Sequence, residues 1–367
     1  MENILSKKPL VTICFLAYNC EKFLAKSINP LLKQTYSNFE FIISNNQSTD
    51  GTEKLIHSLQ KKHSNIIYRK NISQVKTEEF YDVANKDFAL KSNKFYDICL
   101  DHCNGFVQSN LAKGEYIIFC HQDDIYHEDI IEKEAEFLTN NPKVMAVFTL
   151  GNIINENDKI IGQYNLPKEL SEKNIYNFQE VFTAVMKYGN SFLVAPTFMV
   201  RKEIFDKLGL FEAYGQFGGS GDLEMWLRIL EKYSVGILHE NLIDFRISGR
   251  GKQYNTLRTE KSDFFDVMDY FLIDKQYIKK INKKNLRQYN YQKNADDTLR
   301  SMNFLIKGNM QESKKLINTS FSWDFFITSA EDINIFKIKI LILKVVLFLG
   351  INLGLGKYLG KILYKLL

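Results

Sequence analysis

The chain has 367 residues, a mass of 42.9 kDa and a formal net charge of +5 at pH 7, which is enough length for two domains or one large domain with an appendage. Its content of 45% hydrophobic and 25% charged residues is typical of a globular protein. Residues 333–367 hold six lysines and no acid, and removing these six charges from +5 leaves −1 for the rest. The positive charge therefore belongs to the tail, which argues against nucleic-acid binding by a basic face of the folded body.

The five cysteines favour a reducing, cytoplasmic setting. Their number is odd, and two of them lie in predicted core strands. Cys99 and Cys103 are four residues apart, but the sequence has no matching second pair, so we do not expect a zinc site. The polar stretch from Met1 to Lys8 does not have the pattern of a signal peptide.

The first seventy residues alternate between two hydrophobic patterns. Short apolar runs rich in β-branched residues predict strands, and apolar residues at helical spacing predict amphipathic helices. We predict strands at 10–16, 39–44 and 66–68, and helices at 21–34 and after the polar loop 45–52. This order predicts a parallel α/β sheet. The Gly-x-Gly-x-x-Gly and P-loop motifs are both missing, which disfavours a dinucleotide-binding Rossmann domain and a P-loop nucleotidase.

A short apolar run at 116–120 ends close to two adjacent carboxylates, Asp123 and Asp124. The length of the run and its polar borders predict a buried strand. Ligands of open α/β sheets bind beyond the carboxyl ends of the strands, so the two acids suit a Mg²⁺ or Mn²⁺ ion that carries a diphosphate. The alternative is that one acid only caps the helix that begins near His127, because Asp is a favoured N-cap.

The α/β pattern continues to about residue 246. Residues 75–101 are rich in aromatic side chains and show no clear strand, so we predict a helical insertion there. The glycine-rich loop 215–221 delivers Asp222 to the start of a predicted helix at 223–231. We also predict helices at 104–112, 128–138, 178–188 and beyond 262, strands at 144–148, 196–200, 235–238 and 242–246, and a hairpin turn at 155–158.

The tail carries a basic amphipathic pattern. Three lysines at helical spacing face four aliphatic residues: Lys357, Lys361 and Lys365 lie opposite Leu359, Ile362, Leu363 and Leu366. The longest uncharged run, 345–356, is too short to span a bilayer, which needs about 20 residues. The pattern predicts a helix lying in an anionic membrane surface. The alternative is an amphipathic helix that packs on its own domain or on a partner.

Four motifs occur in a diagnostic order: Tyr18-Asn19 after the first strand, Asn45-Asn46-Gln47-Ser48-Thr49-Asp50 after the second, the stretch Lys113 to Asp124, and Gly221-Asp222 followed by Trp226-Leu227-Arg228. Together they resemble the family 2 glycosyltransferases, which have the GT-A fold. Each motif is weak alone, but the set covers about the first 250 residues and is specific to that fold and to sugar transfer.

The resemblance implies a role for each motif. Tyr18, Asn19 and Asn45 would contact the nucleotide. Asp123 and Asp124 would hold the ribose and a divalent metal, Mg or Mn, on the diphosphate. The remaining motif would supply Asp222 as the general base of an inverting transfer, with an ordinary N-cap as the alternative reading.

Three positions depart from the family pattern. Asn45 and His121 stand where acids are usual, and Gly221 replaces a Glu. An Asn both donates and accepts hydrogen bonds, so the choice of nucleotide base and the affinity for metal stay open. Arg246, which ends the last strand, and the following Arg250 and Lys252 are candidates to cradle the diphosphate, and Trp226 is expected in the core.

We therefore predict an α/β protein with a GT-A type, Rossmann-like mixed sheet flanked by helices over 1–255, a helical extension at 256–332, and a basic membrane-associating tail at 333–367. The predicted activity is inverting transfer of a sugar from a nucleotide-diphosphate donor to a glycan, most simply a lipid-linked one, at the cytoplasmic face of a membrane. One alternative is a non-catalytic relative that binds nucleotide sugars. A sugar nucleotidyltransferase ranks lower, because residues 17–21 lack a loop that could grip a triphosphate.

Overall fold

The structure is a computed structural model that describes residues 8–70, 99–101, 103–213, 215–247, 257–320, 322–331 and 333–366. The chain divides into two compact units. The first, called the sheet unit here, comprises residues 1–184 and 188–248. The second, called the helical unit, comprises residues 185–187 and 249–367, so that the predicted extension and the predicted tail belong to one unit.

The described part of the sheet unit contains one mixed sheet of ten strands. The strands are β1 (Val11–Ala17), β2 (Phe39–Asn45), β3 (Ile66–Lys70), β4 (Tyr116–Cys120), β5 (Ile125–Tyr126), β6 (Val144–Ile154), β7 (Ile160–Gln163), β8 (Ile175–Tyr176), β9 (Met199–Arg201) and β10 (Ser234–Arg246). The strand order is β3-β2-β1-β4-β9-β6-β10-β5, with β7 paired to β6 and β8 to β10. β1 is parallel to β2 and β4, whereas β9 is antiparallel to its neighbours.

Helices separate these strands along the chain. They are α1 (Leu24–Leu32), α2 (Thr52–Lys62), α3 (residues 99–101 and 103–108), α4 (Ile130–Asn140), α5 (Phe178–Tyr188), α6 (Glu203–Leu208) and α7 (Gly221–Leu230). Apolar residues of α1 and α4, such as Ile28, Leu31 and Ile131, are buried against the sheet in one hydrophobic cluster. A mixed sheet with flanking helices confirms the predicted GT-A type architecture.

The entry into β4 is fixed by close contact with β1. A Cβ atom on Gly114 would lie 2.5 Å from the backbone nitrogen of Thr12, so only glycine fits here. The Gly114 N–H donates a hydrogen bond to Thr12 Oγ1 at 2.8 Å, and the Lys113 N–H donates to Glu40 Oε1 at 2.6 Å. The Lys-Gly pair of the motif thus sets the register of β4.

Several predicted elements differ from the structure in extent. The strands predicted at 235–238 and 242–246 form the single strand β10, whose pairing with β6 is irregular between Leu238 and Ile243. In place of the strand predicted at 196–200, the structure has a 3₁₀ turn, Ala195–Thr197, followed by β9. The predicted hairpin at 155–158 is confirmed as the antiparallel connection of β6 and β7. The predicted insertion lies mostly outside the described residues.

The helical unit consists of α8 (Phe264–Asp269), α9 (Lys283–Ile306), α10 (Met310–Thr319), α11 (Trp323–Ala330), α12 (Ile335–Asn352) and α13 (Gly356–Leu366). Four of these helices begin with a side-chain cap, from Asn282, Asn309, Ser322 and Asn334 respectively. Two apolar clusters hold them together, one around Phe325 and Ile340 and one around Leu305 and Leu347.

Two of the tail lysines lie inside the helical unit rather than on its surface. The Lys337 ammonium donates hydrogen bonds to the carbonyls of Thr328 (2.9 Å) and Glu331 (2.6 Å) at the end of α11, where the helix dipole favours a cation. The Lys344 ammonium donates to Ser320 Oγ at 2.9 Å and lies 4.4 Å from the Phe325 ring centroid. Burial lowers the pKa of Lys344 to about 8.

The helix α13 does not present the apolar face that the sequence pattern predicted for the membrane. Leu359 and Leu363 pack against the cluster around Leu305 and Leu347. A Cβ atom on Gly360 would lie 2.7 Å from the Leu305 carbonyl oxygen, which shows how closely α13 approaches α9. These two leucines are therefore used by the protein's own core, whereas Ile362 of the predicted face is exposed; membrane association of the tail stays a prediction. Among the helices within the described ranges, none is long and apolar enough to cross a bilayer.

One buried acid lies on α4. Glu134 is fully buried, and within the described part of the chain neither carboxylate oxygen has a hydrogen-bond partner. Burial raises the pKa of Glu134 well above its ordinary value, so the folded protein holds this carboxyl group protonated.

We predict that Glu134→Gln stabilises the protein increasingly as pH rises. Above the ordinary pKa of Glu the unfolded chain releases this proton while the folded chain keeps it, so wild-type stability falls with pH and the variant escapes that loss. Urea unfolding between pH 5 and 8 should show a gain in the free energy of unfolding that grows with pH. Glu136→Gln, on the exposed side of α4, is the control and should change stability by less than about 0.5 kcal/mol. Equal gains for Glu134→Gln at pH 5 and pH 8 would contradict the prediction.

Candidate functional site

The candidate site lies at the edge of the sheet where β1, β2 and β4 end. Ala17 pairs with Asn45, and Phe15 pairs with Cys120, so these three parallel strands end at nearly the same level. The loops that follow them carry five of the six predicted site residues: Tyr18, Asn19, Asn45, Asp123 and Asp124. Open α/β sheets bind ligands at this edge.

Side-chain hydrogen bonds fasten the three loops together. The Tyr18 N–H donates to Gln122 Oε1, which joins the β1 loop to the β4 loop. Asn19 has φ +43°, a left-handed conformation that Asn tolerates better than most residues. The Asn19 N–H donates to Ser48 Oγ at 3.0 Å, and Asn19 Oδ1 accepts from the Thr49 N–H at 2.8 Å, which joins the β1 loop to the β2 loop.

Asn45 is the most enclosed of the predicted nucleotide-binding residues. It has no exposed surface, and its Oδ1 accepts hydrogen bonds from the Ser48 N–H (3.1 Å) and the Ser48 hydroxyl (2.6 Å). Its Nδ2 donates to the Tyr68 hydroxyl at 3.2 Å, and that hydroxyl in turn donates to Glu53 at 2.6 Å. Because the acceptor oxygen is already engaged twice, Asn45 could offer a ligand only its second Nδ2 proton.

The acidic pair is held by the last strand of the sheet. The Arg246 backbone N–H donates to Asp124 Oδ1 at 2.8 Å, and the Arg246 Nε donates to the carbonyl of Asp123 at 2.7 Å. The Arg246 Nη1 donates to the Asn155 carbonyl at 2.8 Å and forms an ion pair with Asp158 at 2.6 Å. The Arg246 side chain is 0% exposed, so it orients the acids and does not form the predicted diphosphate cradle. Arg250 and Lys252 lie outside the described residues.

One carboxylate oxygen of the pair is left over. Asp124 Oδ2 is buried and has no hydrogen-bond partner within the described ranges; the nearest cationic candidate is His121 Nδ1 at 3.9 Å. Burial, and then the charge of Asp123, raise the pKa of Asp124 well above its ordinary value. A divalent cation would suit this unpaired oxygen. The described residues contain no group of three or more His, Cys, Asp or Glu side chains that could hold a metal, so any ion would need oxygens from a ligand as well.

The sixth predicted site residue, Asp222, follows Asp123 by about 100 residues in the sequence. The helix α3 connects the two acids electrostatically. Burial, and then the negative charge of Asp123, raise the pKa of Cys99 to about 12. Burial likewise raises the pKa of Cys103, with Cys99 and Asp222 adding to the effect. The two cysteines are one turn apart on α3, about 6 Å at the Cβ atoms. Both acids therefore lie within electrostatic range of α3.

Two contacts fix the loop that carries Asp222. The side chain of Asn104, on α3, donates to the Phe211 carbonyl at 2.8 Å and accepts from the Phe211 N–H at 2.9 Å. A Cβ atom on Gly221 would lie 2.6 Å from Leu100 Cδ1 and 2.9 Å from the Glu212 carbonyl oxygen. The Glu that usually precedes the catalytic Asp could not fit here, which explains this departure from the family motif.

Asp222 itself lies in the first turn of α7, because the helix begins at Gly221, two residues earlier than predicted. Its Oδ1 accepts a hydrogen bond from the Leu223 N–H at 2.7 Å. Burial raises the pKa of Asp222 to about 6, against the lowering effect of that hydrogen bond. A carboxyl group with this pKa is poised to take up a proton near neutral pH. Trp226, four residues on, is buried between Phe148 and Phe198 as predicted for a core residue.

Sequence reasoning missed the residues that support the site. Gln122, Asn104 and the backbone of Arg246 make contacts across about 100 residues of sequence. Gln122 lies inside one of the four motifs, so the sequence could have marked it as a candidate site residue. The sequence could not show that its side chain accepts a hydrogen bond from the Tyr18 N–H.

The comparisons with known proteins agree with this geometry. The family described as Glycosyl transferase family 2 matches residues 12–75 and 109–209, which hold β1, β2, β4 and the acidic pair; Asp222 lies beyond the match. An uncharacterized glycosyltransferase of Methanocaldococcus jannaschii is 28% identical over 257 residues, which is 69% of this chain and 76% of that protein. The putative glycosyltransferase EpsE of Bacillus subtilis is 28% identical over 224 residues, 61% of this chain and 68% of that protein.

A third relative has a more specific name. It is the UDP-Glc:alpha-D-GlcNAc-diphosphoundecaprenol beta-1,3-glucosyltransferase WfaP of Escherichia coli. This protein is 27% identical over 241 residues, which is 64% of this chain and 75% of that protein.

We predict that Arg246→Met destabilises the sheet unit by about 2–4 kcal/mol, because the carbonyls of Asp123 and Asn155 lose a buried charged donor, while Asp158 keeps its ion pair with Lys26. Urea unfolding measures the change. Lys26→Met is the matched control: Lys26 pairs with the same Asp158, but its side chain is 53% exposed, so its loss should cost less than about 1 kcal/mol. Similar costs for both variants would contradict the structural role of Arg246.

Proposed function

We propose that this chain is a family 2 glycosyltransferase of polysaccharide synthesis, which transfers a sugar with inversion from a nucleotide-diphosphate donor to a lipid-linked glycan. The observation that supports the proposal is the position of Asp123 and Asp124 beyond the end of β4, with the start of α7, which carries Asp222, packed on Leu100 of α3. The name of the Escherichia coli relative, which includes a UDP-sugar and a diphosphoundecaprenol-linked acceptor, supports this choice of substrates.

In this proposal the acidic pair binds the donor. Asp123 and Asp124 hold a divalent cation, Mg²⁺ or Mn²⁺, together with the oxygens of the diphosphate. When bound, the ion offsets the negative charge that develops on the departing diphosphate. The unpaired Asp124 Oδ2 supports this role, because a buried carboxylate without a partner is costly unless a cation or a proton neutralises it. Asn45 and Tyr18 border the nucleotide, with Asn19 holding their two loops in place.

Asp222 is proposed as the general base. It takes the proton from the acceptor hydroxyl as that oxygen attacks the anomeric carbon from the face opposite the diphosphate, which inverts the configuration at that carbon. Asp222 is half-buried, and its pKa of about 6 leaves it mostly ionised at pH 7. A lipid-linked acceptor implies that the enzyme works at the cytoplasmic face of a membrane.

The first prediction from this proposal concerns pH. The rate of sugar transfer, measured as kcat/KM, should rise with pH through an apparent pKa of about 6, because Asp222 must be ionised to accept the proton. Asp222→Asn should lower kcat by a factor of about 100 to 10,000 and abolish this titration. Asp206→Asn, on the exposed side of α6, is the control and should keep both the rate and the profile. Full activity in Asp222→Asn would remove the assigned base.

The second prediction concerns donor binding. Screening nucleotide sugars by thermal shift should identify a donor that stabilises the protein only with Mn²⁺ or Mg²⁺, by about 2.7 kcal/mol at a hundredfold excess over Kd. Asp124→Asn should lose this stabilisation, whereas Asp129→Asn, an acid that pairs with Lys133 on α4, should keep it. Donor binding without turnover on any acceptor would instead indicate a non-catalytic relative.

A further inference from the structure

In an ordinary surface helix the apolar face is buried and the charged face is exposed; in α12 the arrangement is the opposite. Its inward face carries Lys337 and Lys344, both of which are buried. Its outward face carries six aliphatic side chains at successive separations of three or four residues, here called the α12 stripe: Ile335, Ile338, Ile342, Val346, Leu349 and Leu353.

The α12 stripe is exposed along its whole length. The six side chains are between 40% and 71% exposed, and the stripe is roughly 27 Å long at 1.5 Å per residue. Soluble proteins rarely leave a continuous apolar surface of this length open to water. The helix cannot rotate to hide the stripe, because the Lys337 ammonium is bonded to the end of α11 and the Lys344 ammonium to Ser320.

The charges of the tail identify what covers the stripe. Four lysines of the tail are exposed: Lys339, Lys357, Lys361 and Lys365. Residues 333–367 contain no acid that could balance them. A second copy of the chain would bring four further lysines towards these four, and their repulsion would oppose association. Anionic lipid headgroups above a hydrocarbon layer match both features, the apolar stripe and the unbalanced positive charge.

We propose that the α12 stripe is the surface with which this protein enters an anionic membrane, with α12 parallel to the membrane plane and the exposed lysines contacting the headgroups. This inference rests on the proposed function, since it supplies the means by which the enzyme reaches a lipid-linked acceptor. It also places the membrane contact on one face of α12, within the tail 333–367 for which the sequence predicted membrane association.

Vesicle flotation of the full chain tests the proposal. The wild type should float with vesicles of equal parts phosphatidylcholine and phosphatidylglycerol, and less with phosphatidylcholine alone. Ile342→Asn combined with Leu349→Asn should reduce binding by more than about tenfold, because two aliphatic side chains no longer enter the hydrocarbon. Both residues are exposed, so the fold should persist, and an unchanged thermal midpoint checks this.

A matched control is available in the sheet unit. Ile160→Asn combined with Ile161→Asn replaces two aliphatic residues that are 58% and 53% exposed on β7, and it should leave vesicle binding unchanged. Lys361→Ala combined with Lys365→Ala should remove much of the preference for phosphatidylglycerol. Wild-type binding by the stripe variant would overturn the proposal. So would a wild type that ignores vesicles and forms a dimer in the ultracentrifuge, if the stripe variant is a monomer.

Hydrolysis of a nucleotide sugar in the absence of vesicles separates this inference from the proposed function. The stripe variant should hydrolyse the donor at the wild-type rate, because its changes affect only the exposed surface of α12. A wild type that binds the vesicles but shows neither donor hydrolysis nor transfer to any acceptor would overturn the proposed function and still support the membrane face.

Discussion

Parallel pairing of β1 with both β2 and β4 is the constraint on which the candidate site depends. Each pairing sets the level at which a strand ends, so residues separated by a hundred positions in sequence emerge at one edge. Hydrogen bonds from Tyr18 to Gln122 and from Asn19 to Ser48 then fix the loops. Because the strands are buried and their register is set by close contacts such as that at Gly114, the position of the acids follows from the core.

The same edge concentrates groups that an ordinary core would avoid. Asp124 and Asp222 are both largely removed from water, and burial raises the pKa of each. Arg246 compensates only part of this cost: its N–H satisfies one oxygen of Asp124, and the other oxygen stays without a partner in the described structure. Local rules of polar satisfaction are expected to fail where a ligand completes the site. In the proposed function, a bound cation would complete this oxygen.

Much of the sheet was predictable from sequence, because short apolar runs and helical periodicity are local signals. The strand at 116–120 and the helix at 178–188 have the predicted bounds, and the placement of Asp123 beyond a strand end followed from the fold class. Local patterns do not reveal which distant residue a side chain or backbone group will contact. The bond from Arg246 to Asp124 spans 122 residues, and sequence reasoning assigned that arginine to phosphate. The polar residues at 239–241 suggested a break, whereas pairing with β6 carries β10 through them.

In the tail, helical periodicity led to a wrong expectation about burial. A helical pattern shows which residues share a face, but it does not show which face is buried. Lysine is normally assigned to water because burying an ammonium is costly. In α12 that cost is offset by the carbonyls at the end of α11 and by the hydroxyls and the aromatic ring around Lys344. Once both lysines point inward, the aliphatic residues on the other side of the helix must point outward. The exposed apolar surface of the helical unit is thus a consequence of the buried hydrogen bonds that Lys337 and Lys344 make.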